Sequence, residues 1–265
     1  MNDTFNIKRF GWLFKKTLLE RPIQLFGLIG LILLIDLLFY AIGTNIKMVW
    51  DAIQELTFCY GFVGGGSFLA SFVFNYFSSN ARGSSYLTLP ASSFEKWLCG
   101  VLISGIIYTL VFLVFYRIMD TIFVRGYHKS LDPKSPFYKE MYEHVHIFPY
   151  DGVVAFLSYK MFVNFTTAML VGALYFNKAA FIKVALIICS LIIGGFILNS
   201  MMAQAVFDNI DKTIPFNCVF ITVGKESGKI ELPSYASKAV AICILYIVPA
   251  VLLITAYIRL REKEF

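Results

Sequence analysis

The chain has 265 residues, 58% of them hydrophobic and only 15% charged, with a formal net charge of +6. Soluble domains carry nearer a quarter charged residues, so this balance excludes an ordinary soluble enzyme or module. The excess of Lys and Arg sits beside apolar runs, without the aromatic-interleaved basic stripes of a polar domain, which excludes nucleic acid as the partner and leaves the lipid bilayer.

Thr4–Glu20 comes first. Ile7, Phe10, Phe14, Thr17 and Leu18 recur at helical spacing, while Lys8, Arg9, Lys15 and Lys16 lie mostly opposite. This predicts a basic amphipathic helix lying in the membrane interface with its lysines toward anionic headgroups. It fits a simple juxtamembrane anchor, or an elbow helix that braces a moving bundle. We assign it residues 1–21.

A membrane-crossing helix needs about 20 apolar residues. Six runs qualify, over 22–43, 57–78, 97–119, 153–176, 181–205 and 239–258. The expected fold is therefore an all-α integral membrane domain over 22–265 with both termini on one side. The first run exceeds a signal-peptide core and follows a basic helix, so it reads as a retained span despite Ala41-Ile42-Gly43. Lys8, Arg9, Lys15, Lys16 and Arg21 precede span one, Arg82 and Lys96 follow span two, Lys178 and Lys183 follow span four, and Arg259, Arg261 and Lys263 end the chain. The short loop Thr44–Leu56 has only Lys47. This asymmetry predicts that both termini are cytoplasmic.

Asp36 is the only carboxylate deep in a span, fourteen residues past Pro22, or roughly 21 Å along the helix. Lys160 lies about 12 Å from the outer end of span four by the same rise. An isolated charge at mid-membrane costs about 2.5–3.5 kcal/mol on insertion scales, so a partner or a wet cavity is expected. The matching depths allow an Asp36–Lys160 pair between spans one and four; against the pair stand a Lys160 that snorkels outward and an Asp36 that is protonated. Gly64, Gly65 and Gly66 interrupt span two and Gly194 and Gly195 interrupt span five. Such glycines admit close helix packing or a hinge.

Between spans two and three, the polar connector Ser79–Lys96 has room for a short surface helix and a turn. Ser92 and Glu95 have capping-box spacing at the start of span three. The outer segment 120–152 mixes aromatics, charges and prolines and predicts a small cap. Its His144-x-His146, with Glu143 and Asp151, reads as solvated loop rather than a metal site. In the outer segment 206–238, Val219–Val223 and Lys229–Leu232 flank a glycine-bearing turn and predict a short hairpin, which needs packing to be stable. The five cysteines, Cys59, Cys99, Cys189, Cys218 and Cys243, include no CxxC and indicate neither a disulfide framework nor a metal site.

An amphipathic N-terminal helix, six spans, a polar connector between spans two and three, and an enlarged segment between spans five and six resemble the permease subunit of type-2 ABC exporters. The stretch Tyr86-Leu87-Thr88-Leu89-Pro90-Ala91-Ser92-Ser93-Phe94-Glu95-Lys96 is similar to the LPAS..EK signature of Bacteroidetes permease-like proteins. The resemblance implies a coupling helix docking into a partner ATPase. Leu89, Pro90, Ala91, Ser92, Ser93, Phe94, Glu95 and Lys96 would enter its groove, with Glu95 and Lys96 as charged contacts and Phe94 as an apolar plug. It also implies a second permease subunit, identical or related, placement of the spans two and five glycines at the dimer face and pathway, and a bacterial inner-membrane location. The long, strand-like segment after Pro215 departs from the short re-entrant helices usual there.

No P-loop is present: Gly224-Lys225 is followed by Glu226, and Val219 stands where the first glycine belongs. The chain is therefore expected to be no enzyme and to hold no cofactor, with ATP and Mg residing in the partner. The competing readings are a non-transporting scaffold, sensor or assembly protein, and an ion-driven carrier leaning on Asp36. One buried acid and no visible repeat favour the carrier least.

Overall fold

A computed structural model describes residues 5–20, 22–45, 50–74, 76, 86, 88–176, 178–206, 210–215, 218–223, 226–231 and 233–263. Arg21, Lys47, Arg82, Ser79–Ser85, Leu87 and Gly224-Lys225 lie outside them, and with them the question of a short surface helix in the connector.

The first element, α1 (Ile7–Glu20), leads into α2 (Pro22–Asn45), α3 (Trp50–Val73), α4 (Ser93–Ser130), the short α5 (Tyr138–His144), α6 (Val153–Tyr175) and α7 (Ala180–Val206). Strands β1 (Ile210–Ile214), β2 (Cys218–Val223) and β3 (Glu226–Glu231) precede the last helix, α8 (Ser234–Glu262). Helices α2, α3, α4, α6, α7 and α8 are each long and apolar enough to cross a bilayer. The chain is an all-α, multi-pass integral membrane protein with one small sheet. Six crossings bring α1 and the end of α8 to one end of the bundle, here the near end; the sheet and α5 lie toward the far end.

The spans differ from the sequence expectation at their edges. Span two begins seven residues earlier, at Trp50, because Ile53, Gln54, Thr57 and Phe58 are already buried helix. Span three starts at Ser93, where its cap lies, and continues to Ser130. Its 38 residues measure about 57 Å at 1.5 Å per residue, against a hydrocarbon core of about 30 Å. Residues 120–130, assigned to the outer segment 120–152, thus continue the helix past the length that a hydrocarbon core requires. In 206–238 the expected hairpin is present as β2 and β3, with Val219 opposite Ile230 and Ile221 opposite Gly228. β1 adds a third antiparallel strand through a bulged register, Ile210 opposite Ile221 and Lys212 opposite Phe220. Its sequence, IDKTI, is too short and polar to announce itself.

Two features set the packing. First, α3, α4 and α8 each contain a π-helical stretch, Tyr60–Gly65, Leu102–Ile107 and Cys243–Ile247 respectively. In α3 the stretch leaves the Gly61 carbonyl to accept the Tyr108 hydroxyl at 2.5 Å; two turns away the Tyr116 hydroxyl donates to the Gln54 carbonyl at 2.7 Å. Second, the core between α2, α3, α4 and α6 is aromatic. Phe58, Phe62, Tyr108, Phe112, Tyr116 and Phe162 are buried there, and Phe62 stacks on Phe162 with centroids 4.3 Å apart. By contrast α7 and α8 are almost wholly outward-facing, with Leu186, Leu191, Ile193, Ile197, Val251 and Ile254 exposed. That is the pattern of surface turned to lipid or to another membrane protein.

Glycines mark the close contacts. A Cβ at Gly66 would collide with the Phe162 ring, and one at Gly65 with the Tyr108 hydroxyl and Ile32, whereas Gly64 faces open space. Among the described residues, nothing lies within 4 Å of a Cβ built at Gly194 or Gly195 either. Overpacking a filled core costs about 1–3 kcal/mol. Gly66→Ala is expected to destabilise the protein by that amount in thermal unfolding, while Gly194→Ala is neutral or slightly stabilising, since alanine favours helix by about 1 kcal/mol.

Candidate functional site: the connector clasp and the far-end hub

At the near end, a single carboxylate joins two helix starts. Ser92 caps α4: its hydroxyl accepts from the Glu95 N–H at 3.3 Å, and Glu95 Oε2 accepts from the Ser92 N–H at 3.0 Å, completing the capping box. The same carboxylate reaches across to α1. Its Oε1 accepts from the Asn6 N–H at 2.8 Å and from Arg9 Nη2 at 2.8 Å, and Oε2 accepts from Arg9 Nε at 2.8 Å. Asn6 in turn caps α1, its Oδ1 accepting from the N–H groups of Lys8 and Arg9 at 3.0 and 3.4 Å. The fork geometry of Arg against a carboxylate adds direction as well as strength.

This corrects the expected docking face. Glu95 and Lys96 have no exposed surface, so neither is available as a charged contact for a soluble partner. Glu95 points inward because four donors await it there, and Arg9, placed on the basic face of α1 by its spacing, turns inward to meet it. Ala91, Ser92 and Ser93 are buried and Leu89 is half-buried; Thr88, Pro90 and Phe94 form the exposed strip of the segment. Phe94 is 41% exposed and ringed by Phe5, Trp97 and Tyr257 at centroid distances of 6.0, 5.5 and 6.2 Å. Beneath the strip, Leu13, Ala91, Cys99 and Ile103 bury together, with Phe10, Phe14 and Leu18 packed on them. The buried face of α1 thus centres on Leu13, and Ile7 and Trp12 stay exposed beside the lysines.

A second constellation, which sequence reasoning missed, lies toward the far end. Asp120 is fully buried on α4. Its Oδ1 accepts from the Tyr40 hydroxyl of α2 and from Gln54 Nε2 of α3, both at 2.7 Å, and its Oδ2 accepts from the Phe148 N–H at 2.8 Å. Phe148 belongs to a strap, Val145–Tyr150, that runs back along the projecting part of α4. His128 Nε2 lies 2.9 Å from the Val145 carbonyl, Arg117 Nη1 donates to the Phe148 carbonyl at 3.0 Å, and the Tyr150 hydroxyl donates to the Leu113 carbonyl at 2.7 Å. Gln54 Nε2 also donates to the His146 carbonyl at 2.9 Å. The strap forms no regular ladder, so side chains of α4 and α3 meet its backbone polar groups instead. Arg117 lies 3.9 Å over the Tyr150 ring. Beside it, burial raises the Tyr150 hydroxyl to about 12, a shift that the Arg117 charge opposes. The only sequence signal for this hub was an acid just past an apolar run.

Asp36 and Lys160 are not paired. The Asp36 carboxylate faces Gly61 and Phe112, and its Oδ2 has no hydrogen-bond partner among the described residues. Lys160 instead lies 4.1 Å over the ring of Phe156, one turn toward the far end of α6. Depth matched, but direction did not: Asp36 points into the wedge of α2, α3 and α4, where a Cβ at Gly61 would sit 2.6 Å from its Oδ1.

Comparison with protein-family models, with curated proteins and with solved structures finds no match.

Proposed function

We propose that the protein is the membrane-spanning permease subunit of an ATP-driven exporter of the type-2 ABC kind, with the near end cytoplasmic. It would work with a separate ATPase that holds ATP and Mg, and with a second permease subunit, identical or related, in a bacterial inner membrane. The observation that carries this reading is the clasp. One buried carboxylate fastens the interfacial helix α1 to the first turn of α4, directly behind the exposed strip of Thr88, Pro90 and Phe94. Force applied to that strip is delivered at once to α4 and α1 rather than lost in a loose loop. The outward-facing apolar surfaces of α7 and α8 supply room for a second subunit. Cargo would be apolar or amphipathic, of lipid, peptide or drug character.

The role assigned to the strip has changed from charged docking to apolar docking, which sets the test. Phe94→Asp combined with Pro90→Asp is expected to abolish co-purification of a Walker-motif ATPase from the native host, with the permease still folded and membrane-inserted. Retention of that ATPase by the double variant would remove the docking role.

The far-end hub favours a second reading, a non-transporting scaffold or sensor. A strap fixed by six hydrogen bonds to α3, α4 and α6 offers a built surface to a partner outside the membrane. Finding no ATPase with the wild-type protein, and a soluble partner captured at the far end, would select it.

A further inference from the structure

At the near end, a cavity of about 300 Å³ opens between α3, α6 and the start of α7. Its walls are Phe68 and Phe72 of α3, Phe176 at the end of α6, and Phe181 of α7. The Ser71 hydroxyl also lines it, but it is spent on the Phe68 carbonyl at 2.7 Å, so the interior offers little to a polar ligand. With water taking about 30 Å³ per molecule, the space holds roughly ten groups the size of a methylene, a stretch of one acyl chain.

The rim is different. Lys178 and Lys183 are both exposed on the turn and first helical residues that border the cavity. The Lys183 ammonium is held 5.3 Å from the centroid of the Phe176 ring, over the lining rather than away from it. Ala179, which also lines the cavity, has φ 53°, the left-handed region that non-glycine residues avoid. Its carbonyl accepts from the Lys183 N–H at 3.1 Å, so this strained residue sets the first turn of α7 and with it the position of the lysine. Strained residues of this kind cluster at ligand clamps and active sites.

An apolar, chain-sized cavity with a cationic rim, at the depth of a membrane interface, fits one chemistry. We propose that this cleft binds an anionic glycerophospholipid, one acyl chain lying among Phe68, Phe72, Phe176 and Phe181 and the phosphate head meeting Lys178 and Lys183. The proposal holds whether or not the protein transports.

The test uses the full chain purified in non-ionic detergent, titrated with phosphatidylglycerol or phosphatidylcholine of identical chains and read by native mass spectrometry. Phosphatidylglycerol is expected to bind the more tightly. Lysines at a membrane surface contribute about fivefold in affinity each, so Lys178→Gln with Lys183→Gln should cost phosphatidylglycerol roughly 25-fold and zwitterionic phosphatidylcholine much less, erasing the preference. Ala180→Trp, which fills the cavity, should weaken both lipids; should it fail to fold, Ser71→Leu fills the same space from the α3 wall. Equal binding of the two lipids overturns the proposal. So does a preference that survives loss of both lysines, or binding indifferent to the filled cavity.

Discussion

Replacing Asp120 by alanine is expected to give the largest loss of stability of any single change outside the aromatic core. The carboxylate is the shared acceptor for Tyr40, Gln54 and the Phe148 N–H, from α2, α3 and the strap. Removing it leaves three donors facing a buried void, and an unsatisfied buried donor costs about 1–3 kcal/mol. The three costs are not additive, because neighbouring groups relax together; a total of several kcal/mol is expected. Asp120→Asn keeps one acceptor oxygen and places an NH₂ against donors, so an intermediate loss follows. Thermal unfolding in detergent measures the total, and hydrogen exchange of 145–150 locates it. If that segment stays as protected in Asp120→Ala as in the wild type, the hub does not hold the strap.

The second large effect belongs to Glu95. Glu95→Ala removes the capping box of α4 together with the bonds from the Asn6 N–H and the Arg9 guanidinium to the carboxylate. Loss of a helix cap alone costs about 0.5–2 kcal/mol. The larger consequence is local: α1 loses the carboxylate that ties it to the first turn of α4 and rests chiefly on the apolar contacts of Leu13, Phe10, Phe14 and Leu18. Hydrogen exchange across 7–20 should rise sharply while α6 stays protected. Glu95→Gln should fall between, because a neutral amide retains an acceptor for Arg9 but loses the two-oxygen fork. Under the proposed function, Glu95→Ala should also impair transport more than it impairs ATPase binding, since the exposed strip survives while its attachment to α1 does not. Loss of both in equal measure would mean that Glu95 only shapes the strip.

The fold was legible because hydrocarbon length is a coarse and strong signal: six runs of some 20 apolar residues leave few alternatives. The capping box at Ser92 and Glu95 was legible for the same reason, being a local spacing with one geometric meaning. Direction across helices was not. Asp36 and Lys160 matched in depth, yet the rotation of α2 and α6 turned them to different neighbours, and one-dimensional spacing carries no information on rotation between distant helices. Arg9 illustrates the same limit, since helical periodicity assigned it to the basic face while a buried carboxylate 86 residues later drew it inward. Glycine runs attracted attention, but the isolated Gly61, Gly100 and Gly172 mark contacts as tight as those of Gly65 and Gly66. A single glycine in an apolar run looks the same whether it faces a ring or lipid.

The third crossing helix carries both constellations. Glu95 and Asp120 are separated by 25 positions along one continuous helix, about 37 Å at the ordinary rise. The π-helical stretch Leu102–Ile107 lies between them; where that stretch moves with its neighbours as one body, the helix cannot tilt at one membrane face without displacing the other. A rocking of about 5° pivoting at Glu95 would carry Asp120 some 3 Å sideways by the same geometry, more than a hydrogen bond of 2.7 Å tolerates. Movement begun on one side of the bilayer would therefore be felt on the other as the unfastening of Tyr40, Gln54 and Phe148.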